Sequence, residues 1–263
     1  MDDQLADNLR RVNADIAAAC ARVGRSPNEV TLVAVTKSAD LVWVRRLIAL
    51  GVHDLGENRP QQLLERVETL SDDEKDEKGD RSNFGRSALG SSERVVPKLD
   101  LSPFSSVRWH LVGHLQRNKV RPVLPRTVLV HSVDSLRLLE RISTLAAELS
   151  LTPRVLLEVN VSGEASKDGL SITELTADWE SFVAVPQVEI VGLMTMAPLS
   201  ADPAAARPVF RELRHLRDDL AARAASRLKL TELSMGMSDD FPIAVEEGAT
   251  LVRIGRRLFE GLS

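Results

Sequence analysis

The feature that most limits what this chain can fold into is the regular return of short apolar, β-branched runs separated by helical segments. The runs are Val30 to Thr36, Val52 to Glu57, Val107 to Gly113, Thr127 to Val133, Arg154 to Val161, Val188 to Met196, Leu230 to Gly236 and Thr250 to Gly255. Several are continuous rather than alternating, as a parallel strand covered on both faces requires. Between them, Leu5, Leu9, Val12, Ile16 and Val23 recur at helical steps. So do Leu138, Ile142, Leu145 and Leu149, and then Val209, Leu213, Leu216 and Leu220. Eight strand–helix units in 263 residues match the count and size of an α/β chain closed as a (β/α)8 TIM barrel. Periodicity is blind to closure, so a doubly wound open sheet is the structural alternative.

The rhythm breaks between Ser71 and Ser106, where SDDEKDEKGDRSNFGRSALGSSER is charged and then rich in serine and glycine. The expectation is a flexible insertion over 71–106 within one barrel domain spanning 1–263. A net charge of -4 supplies no bulk attraction to nucleic acid or to an anionic membrane. No apolar stretch reaches the roughly 18 residues that span a bilayer, and the polar, acidic start MDDQLADNLRR is not a signal peptide. A single cysteine, Cys20, excludes an internal disulfide and fits a reducing cytoplasm. The chain contains no tyrosine, which closes any mechanism needing a phenol as acid or base.

In a barrel of this kind the chemistry sits at the C-terminal ends of the strands. Lys37 follows the first run, and a lysine at the mouth of a buried strand either turns to water or serves chemistry. Its amine shifts readily when desolvated and forms Schiff bases. Glu57 and Asn58 follow the second run; His114, Gln116 and Asn118 follow the third, with His110 inside it. Asn160 and SGEASKDG follow the fifth, and Met194, Thr195 and Met196 close the sixth. Ser234 to Ser238 follow the seventh, and Arg253, Gly255 and Arg256 close the eighth. Loops after strands seven and eight are the usual phosphate site of such barrels. Ser238 is expected to cap the next helix and help form an anion site, and Gly255 to admit close backbone approach. A capped turn without ligand is the alternative. His110, next to Trp109, is expected to be a packed strand residue rather than a general base, and His114 has no evident partner. No metal-ligand spacing is present.

Taken together, these segments resemble the pyridoxal-phosphate homeostasis protein family, also called YggS or PROSC, which shares the barrel of the alanine racemase N-terminal domain. The matching stretches are LVAVTKS around Lys37, LGEN, WHLVGHLQRNK, HSVDS, NVSGEASKDGL, GLMTMAP and LSMGMSDDFPIAVEEGATLVRIG. The resemblance implies pyridoxal 5′-phosphate held as a Schiff base by Lys37, with its phosphate at Ser238 and the backbone of Gly255 and Arg256. It implies Arg253 at the pyridine nitrogen, Asn58 and Met194 lining the ring, and Ser234 bordering the phosphate loop. An arginine in that place discourages ring protonation and makes the ring a poor electron sink. The implied role is homeostasis and delivery of the cofactor without catalysis, by a monomer in the cytoplasm, with PLP-dependent apoenzymes as recipients.

Two departures stand out: Arg256 replaces the threonine common after RIG in the family, and the acidic insertion is unusual. Lys167 matches a lysine that could serve as a secondary, transfer-related site, or could simply be solvated. The alternative function is a weak monomeric amino-acid racemase. Related racemases pair a lysine with a tyrosine from a second domain, and neither that domain nor any tyrosine is found here. A lysine Schiff-base aldolase acting on a phosphorylated sugar is a third reading.

Overall fold

The apolar runs fold into eight parallel strands, each paired with its neighbour in sequence, and the last pairs with the first to close a barrel. The computed structural model describes residues 2–81, 106–164, 168–198, 200–224 and 228–262. The strands are β1 (Thr31–Val35), β2 (Asp54–Glu57), β3 (Arg108–Leu111), β4 (Leu129–Val133), β5 (Arg154–Glu158), β6 (Glu189–Met194), β7 (Glu232–Ser234) and β8 (Leu251–Ile254). Closure is a four-residue ladder from Thr31↔Leu251 to Ala34↔Ile254. The (β/α)8 expectation therefore holds and the open sheet does not.

Successive side chains on a strand point to opposite faces, so the barrel has an inner and an outer apolar layer. On β1, Val33 and Val35 join the inner cluster with Val112, Leu129, Leu156, Val191, Met194 and Leu251, while Ala34 joins the outer one. The outer layer receives the helices. Helix α1 (Asp2–Arg22) buries Leu5, Leu9, Val12 and Ile16. Between β1 and β4 come α2 (Leu41–Ala49), α3 (Pro60–Arg81) and the short α4 (Val120–Val123). Helix α5 (Leu136–Leu149) starts at Ser135, whose hydroxyl accepts from Leu138 N at 3.3 Å. Then follow α6 (Ile172–Ala177), α7 (Trp179–Val183), α8 (Arg207–Arg223) and α9 (Phe241–Glu246). Helix α8 buries Phe210, Leu213, Leu216 and Leu220.

Two local expectations change. Val23 is 44% exposed, because α1 stops before it: Gly24 adopts φ +70° and Arg25 N closes back on Cys20 O at 3.0 Å. That left-handed glycine is a common helix ending. The charged stretch at 71–81, expected to open the insertion, instead prolongs α3 to Arg81. Glutamate and lysine are good helix formers, so lost apolar periodicity did not mean a lost helix. The rest of the expected insertion, 82–105, lies outside the described residues. Among the described residues no helix is long and apolar enough to cross a membrane.

The two ends of the chain meet at Asn8, which is 1% exposed and donates from Nδ2 to both Leu258 O and Glu260 O at 2.9 Å. This bond pair ties α1 to the segment that follows β8. Asn8→Ala leaves those carbonyls short of a donor and is expected to cost about 1–3 kcal/mol, measurable by urea denaturation. An unchanged midpoint would show that water replaces the amide.

Candidate functional site

Closure of β1 on β8 brings Lys37 against the residues that end β8, across a cleft of about 710 Å³ at the C-terminal mouth of the barrel. Lys37, Asn58, Ser238, Arg253, Gly255 and Arg256 all line it, with Val35, Val112, Met196 and Met237 as apolar walls. The volume lies in the range of small-molecule sites, and so does the mixture of apolar wall and few polar groups. Gly255 lets the end of β8 approach β1 closely, since a Cβ there would lie 3.1 Å from Val35 O and would require a small shift.

Lys37 is exposed, and its backbone is held from behind by α3. Arg66 Nη2 donates to Thr36 O at 3.0 Å and to Ala39 O at 2.7 Å, and Gln62 Nε2 donates to Lys37 O at 2.8 Å. The lysine turn is thus gripped at both flanks and at its own carbonyl. Arg66 Nε also lies 2.7 Å from Glu57 Oε1, as an ion pair without the alignment of a hydrogen bond. Thr36 Oγ1 donates to the same carboxylate oxygen at 2.5 Å. Glu57 is fully buried, and burial pushes its carboxyl above the usual range, against Thr36 and Arg66. Asn58 is fixed by the next loop: a Cβ on Gly113 would sit 2.3 Å from Asn58 O, so only glycine allows the two backbones to touch.

Arg253 forms the floor. It is 5% exposed and donates from Nη2 to Thr195 O at 2.9 Å and from Nη1 to Ser234 Oγ at 2.5 Å. Burial lowers its pKa to about 10, against the pull of Glu158 and Asp240, so it stays cationic at neutral pH. Glu158, at the end of β5, is pushed up to about 7 by burial, with Asp134 and Asp168 adding to the shift and Arg253 opposing it.

Ser238 lines the cleft, but it does not cap α9. The cap position belongs to Asp240, whose Oδ1 turns back to accept from Met237 N at 2.6 Å, and among the described residues Ser238 Oγ has a long 3.5 Å contact from Arg257 N as its single partner. The hydroxyl therefore remains free toward the cleft. Arg256 is 70% exposed at its side chain and paired with Asp239.

Two other expected site residues lie one layer lower. Met194 is 1% exposed in the inner apolar cluster, and Met196, two residues on, lines the cleft instead. Ser234 is fully buried beneath the cleft against Arg253. His114, Gln116 and Asn118 line a separate cleft of about 520 Å³, where His114 Nδ1 meets Asp134 Oδ2 at 3.1 Å. Asn160 is engaged with Glu164 O at 2.8 Å, and Lys167 lies outside the described residues. Sequence reasoning missed Arg66, Glu158 and Asp240. Arg66 sits mid-helix among other charges, with nothing local to mark it. Glu158 carried a faint signal, as an acid closing a run of otherwise buried apolar residues.

The family model for the alanine racemase N-terminal domain matches residues 3–262. The chain is 37% identical to the pyridoxal phosphate homeostasis protein of Aquifex aeolicus over 96% of each chain. It is 37% identical to the protein of the same name from Pseudomonas aeruginosa, over 97% of this chain and 94% of that one. A structure of PipY from Synechococcus elongatus PCC7942 with PLP bound superposes with a TM-score of 0.72 at 33% identity, covering 93% of this chain and 99% of PipY. Alanine racemase from Clostridium difficile 630 shares the fold at 14% identity and a TM-score of 0.65, over 98% of this chain and 56% of the racemase.

Removing Arg66 strands Glu57 in the core. Arg66→Met is expected to destabilise by about 3 kcal/mol, and adding Glu57→Gln to recover part of that loss, in a double-mutant cycle by chemical denaturation. Strict additivity would mean the two do not interact. Glu158 gives a pH signature. Its folded pKa of about 7 exceeds the ordinary 4.5, so the folded state binds the proton more tightly. That contribution is full below 4.5 and is lost as pH rises through about 7, at most about 3 kcal/mol. Over that window the wild type should lose stability relative to Glu158→Gln, and parallel curves would assign the shift elsewhere.

Proposed function

The chain belongs to the pyridoxal phosphate homeostasis protein family, and from that premise we propose that its cleft holds pyridoxal 5′-phosphate covalently through Lys37, for intracellular homeostasis and delivery of the cofactor rather than for catalysis. The observation that carries this reading is the convergence of Lys37, Ser238, Arg253 and Arg256 on one small-molecule cleft. When bound, pyridoxal phosphate supplies an aldehyde that condenses with an amine and a phosphate that accepts several hydrogen bonds. The donor set suits it: one exposed amine for the aldehyde, and a free hydroxyl with an exposed guanidinium for the phosphate. The walls of Val35, Val112, Met196 and Met237 suit the faces of a flat ring.

The remaining residues act by orientation. Arg66 and Gln62 fix the turn that aims the Lys37 amine. Asn58 flanks the ring, and Gly255 keeps the end of β8 close to β1 beside the phosphate loop. Arg256 can turn from Asp239 to a phosphate, which gives it a role where a hydroxyl side chain is more usual in the family. Arg253 retains its proton at neutral pH and offers no acid to the ring nitrogen, so the cleft stabilises a bound cofactor more than a carbanion. Met194 and Ser234 support the floor from below, Ser234 through its bond to Arg253. A racemase that pairs lysine with tyrosine has no tyrosine to use in this chain.

Protein incubated with pyridoxal phosphate should turn yellow, and borohydride should then leave a phosphopyridoxyl mass on the Lys37 peptide. Lys37→Ala should abolish both the colour and the label. A label found mainly on another peptide would sink the assignment of Lys37. Failure of the loaded protein to reactivate a pyridoxal-phosphate-dependent apoenzyme faster than its spontaneous loss of cofactor allows would sink delivery.

A further inference from the structure

Four polar side chains with no place in the cleft walls stand inside the barrel: Asp54 on β2, His110 on β3, His131 on β4 and Ser234 on β7. They are between 0% and 8% exposed, and buried polar groups need partners. Asp54 Oδ1 lies 3.0 Å from His110 Nε2, His110 Nδ1 lies 2.9 Å from His131 Nε2, and His131 Nδ1 lies 2.8 Å from Ser234 Oγ. Ser234 Oγ then accepts from Arg253 Nη1 at 2.5 Å. Strands β4 and β7 are not neighbours in the sheet, so the His131–Ser234 bond crosses the barrel interior. One end of the chain is the Asp54–Arg108 pair at the N-terminal mouth, and the other is the floor of the cleft.

The two ends fix the direction of every bond between them. A guanidinium only donates and a carboxylate only accepts. Ser234 accepts from Arg253 and has one proton to give, to His131 Nδ1. His131 must then carry its proton on Nε2 and give it to His110 Nδ1. His110 in turn carries its proton on Nε2 and gives it to Asp54. Every donor and acceptor along the line is used, with both rings neutral. The reverse polarity needs a cationic His110 and leaves the Ser234 proton without an acceptor in the line. It also sets a second cation beside Asp54, which Arg108 already pairs. Burial, reinforced by His110 and Arg253, holds the His131 ring well below its usual pKa. Against burial, His110 and Arg108 hold Asp54 down at about 2, so the accepting end stays ionised.

We propose that Asp54, His110, His131 and Ser234 are positioning residues, forming a one-directional hydrogen-bond relay that fixes the Arg253 guanidinium in the cleft from the opposite mouth of the barrel. The relay does not conduct protons, because its donor end is an arginine that keeps its own. It acts as a buried carboxylate acts on an imidazole, by selecting one tautomer and one orientation, here through two rings in series. Its effect on the cofactor's ring nitrogen rests on the binding reading above; the relay itself does not.

Nitrogen-15 NMR of the histidine-labelled, unloaded protein tests it. Of the five imidazoles, His110 and His131 should both show the Nε2–H tautomer, and His131 should not titrate between about pH 6 and 8. Asp54→Asn offers His110 either a donor or an acceptor, and should mix the tautomers at His131, which Asp54 does not touch. Ser234→Ala should shift His131 and leave the Asp54–His110 contact in place. A titrating or Nδ1–H His131 in the wild type, or His131 resonances unmoved by Asp54→Asn, would overturn the relay. In pyridoxal-phosphate-loaded protein, Asp54→Asn should displace the visible absorbance maximum, and an unmoved band would overturn the coupling to the cleft. A colourless loaded wild type would sink the cofactor reading alone, with the relay still decided by the imidazole spectra.

Discussion

Everything at the candidate site depends on the ladder that joins β1 to β8. Lys37 and Arg253 are separated by most of the chain, and only the pairing of Thr31 to Ala34 with Leu251 to Ile254 brings them to one mouth. The pairing is demanding at its end, where Gly255 approaches the Val35 carbonyl too closely for a side chain without a shift. A long-range parallel pairing of this kind returns little until the intervening loop entropy has been met. The bonds from Asn8 to Leu258 and Glu260 bring a second pair of distant segments together on the same side of the structure. The first helix thus reinforces the same seam that assembles the cleft.

The barrel interior is divided between two materials. Val33, Val35, Val112, Leu156 and Val191 fill part of it with branched apolar side chains, the usual filling of this fold. The rest holds a line of polar groups that spend their hydrogen bonds on one another. Such a line is costly if any member is unpaired, and rigid when all are paired. Here it ends on the Arg253 guanidinium at the floor of the candidate site. On the other side of the cleft, Arg66, paired with Glu57, holds the Lys37 turn. Both supports lie behind residues that line the cleft, and both use an arginine paired with a buried acceptor.

Much of the fold was legible because apolar runs and helical steps are local signals. The eight strands appear where the β-branched runs lie, with most ends trimmed by up to three residues as the backbone turns toward the loops. Closure was inferred from the count of units and not from any residue, since pairing of β1 with β8 leaves no local mark. The misreadings have physical causes. Helix α3 outlasted its apolar stripe because charged residues can be good helix formers, and Val23 fell off α1 because Gly24 supplied a stop that periodicity does not weigh.

At the site, strand-end position was a good guide to which residues face the cleft and a poor guide to depth. Met194 and Met196 differ by two positions, yet one lies in the inner core and the other lines the cleft. Residues two apart share a face, so the difference is one of depth: Met194 ends β6 inside the barrel, and Met196 lies beyond the strand at its C-terminal mouth. Ser238 faces the cleft as expected, although the capping argument for it fails: Asp240 takes the cap position and leaves the serine hydroxyl available. The interior acids and histidines were the hardest to see. Asp54, His131 and Glu158 each fall within runs of mainly apolar residues, and only the closed barrel joins Asp54 and His131 through His110. A polar residue at a strand position that should be buried is therefore the signal to follow in a sequence of this type. Some partners lie on the next strand, as His110 does for Asp54 and His131, and one lies across the barrel, as Ser234 does for His131.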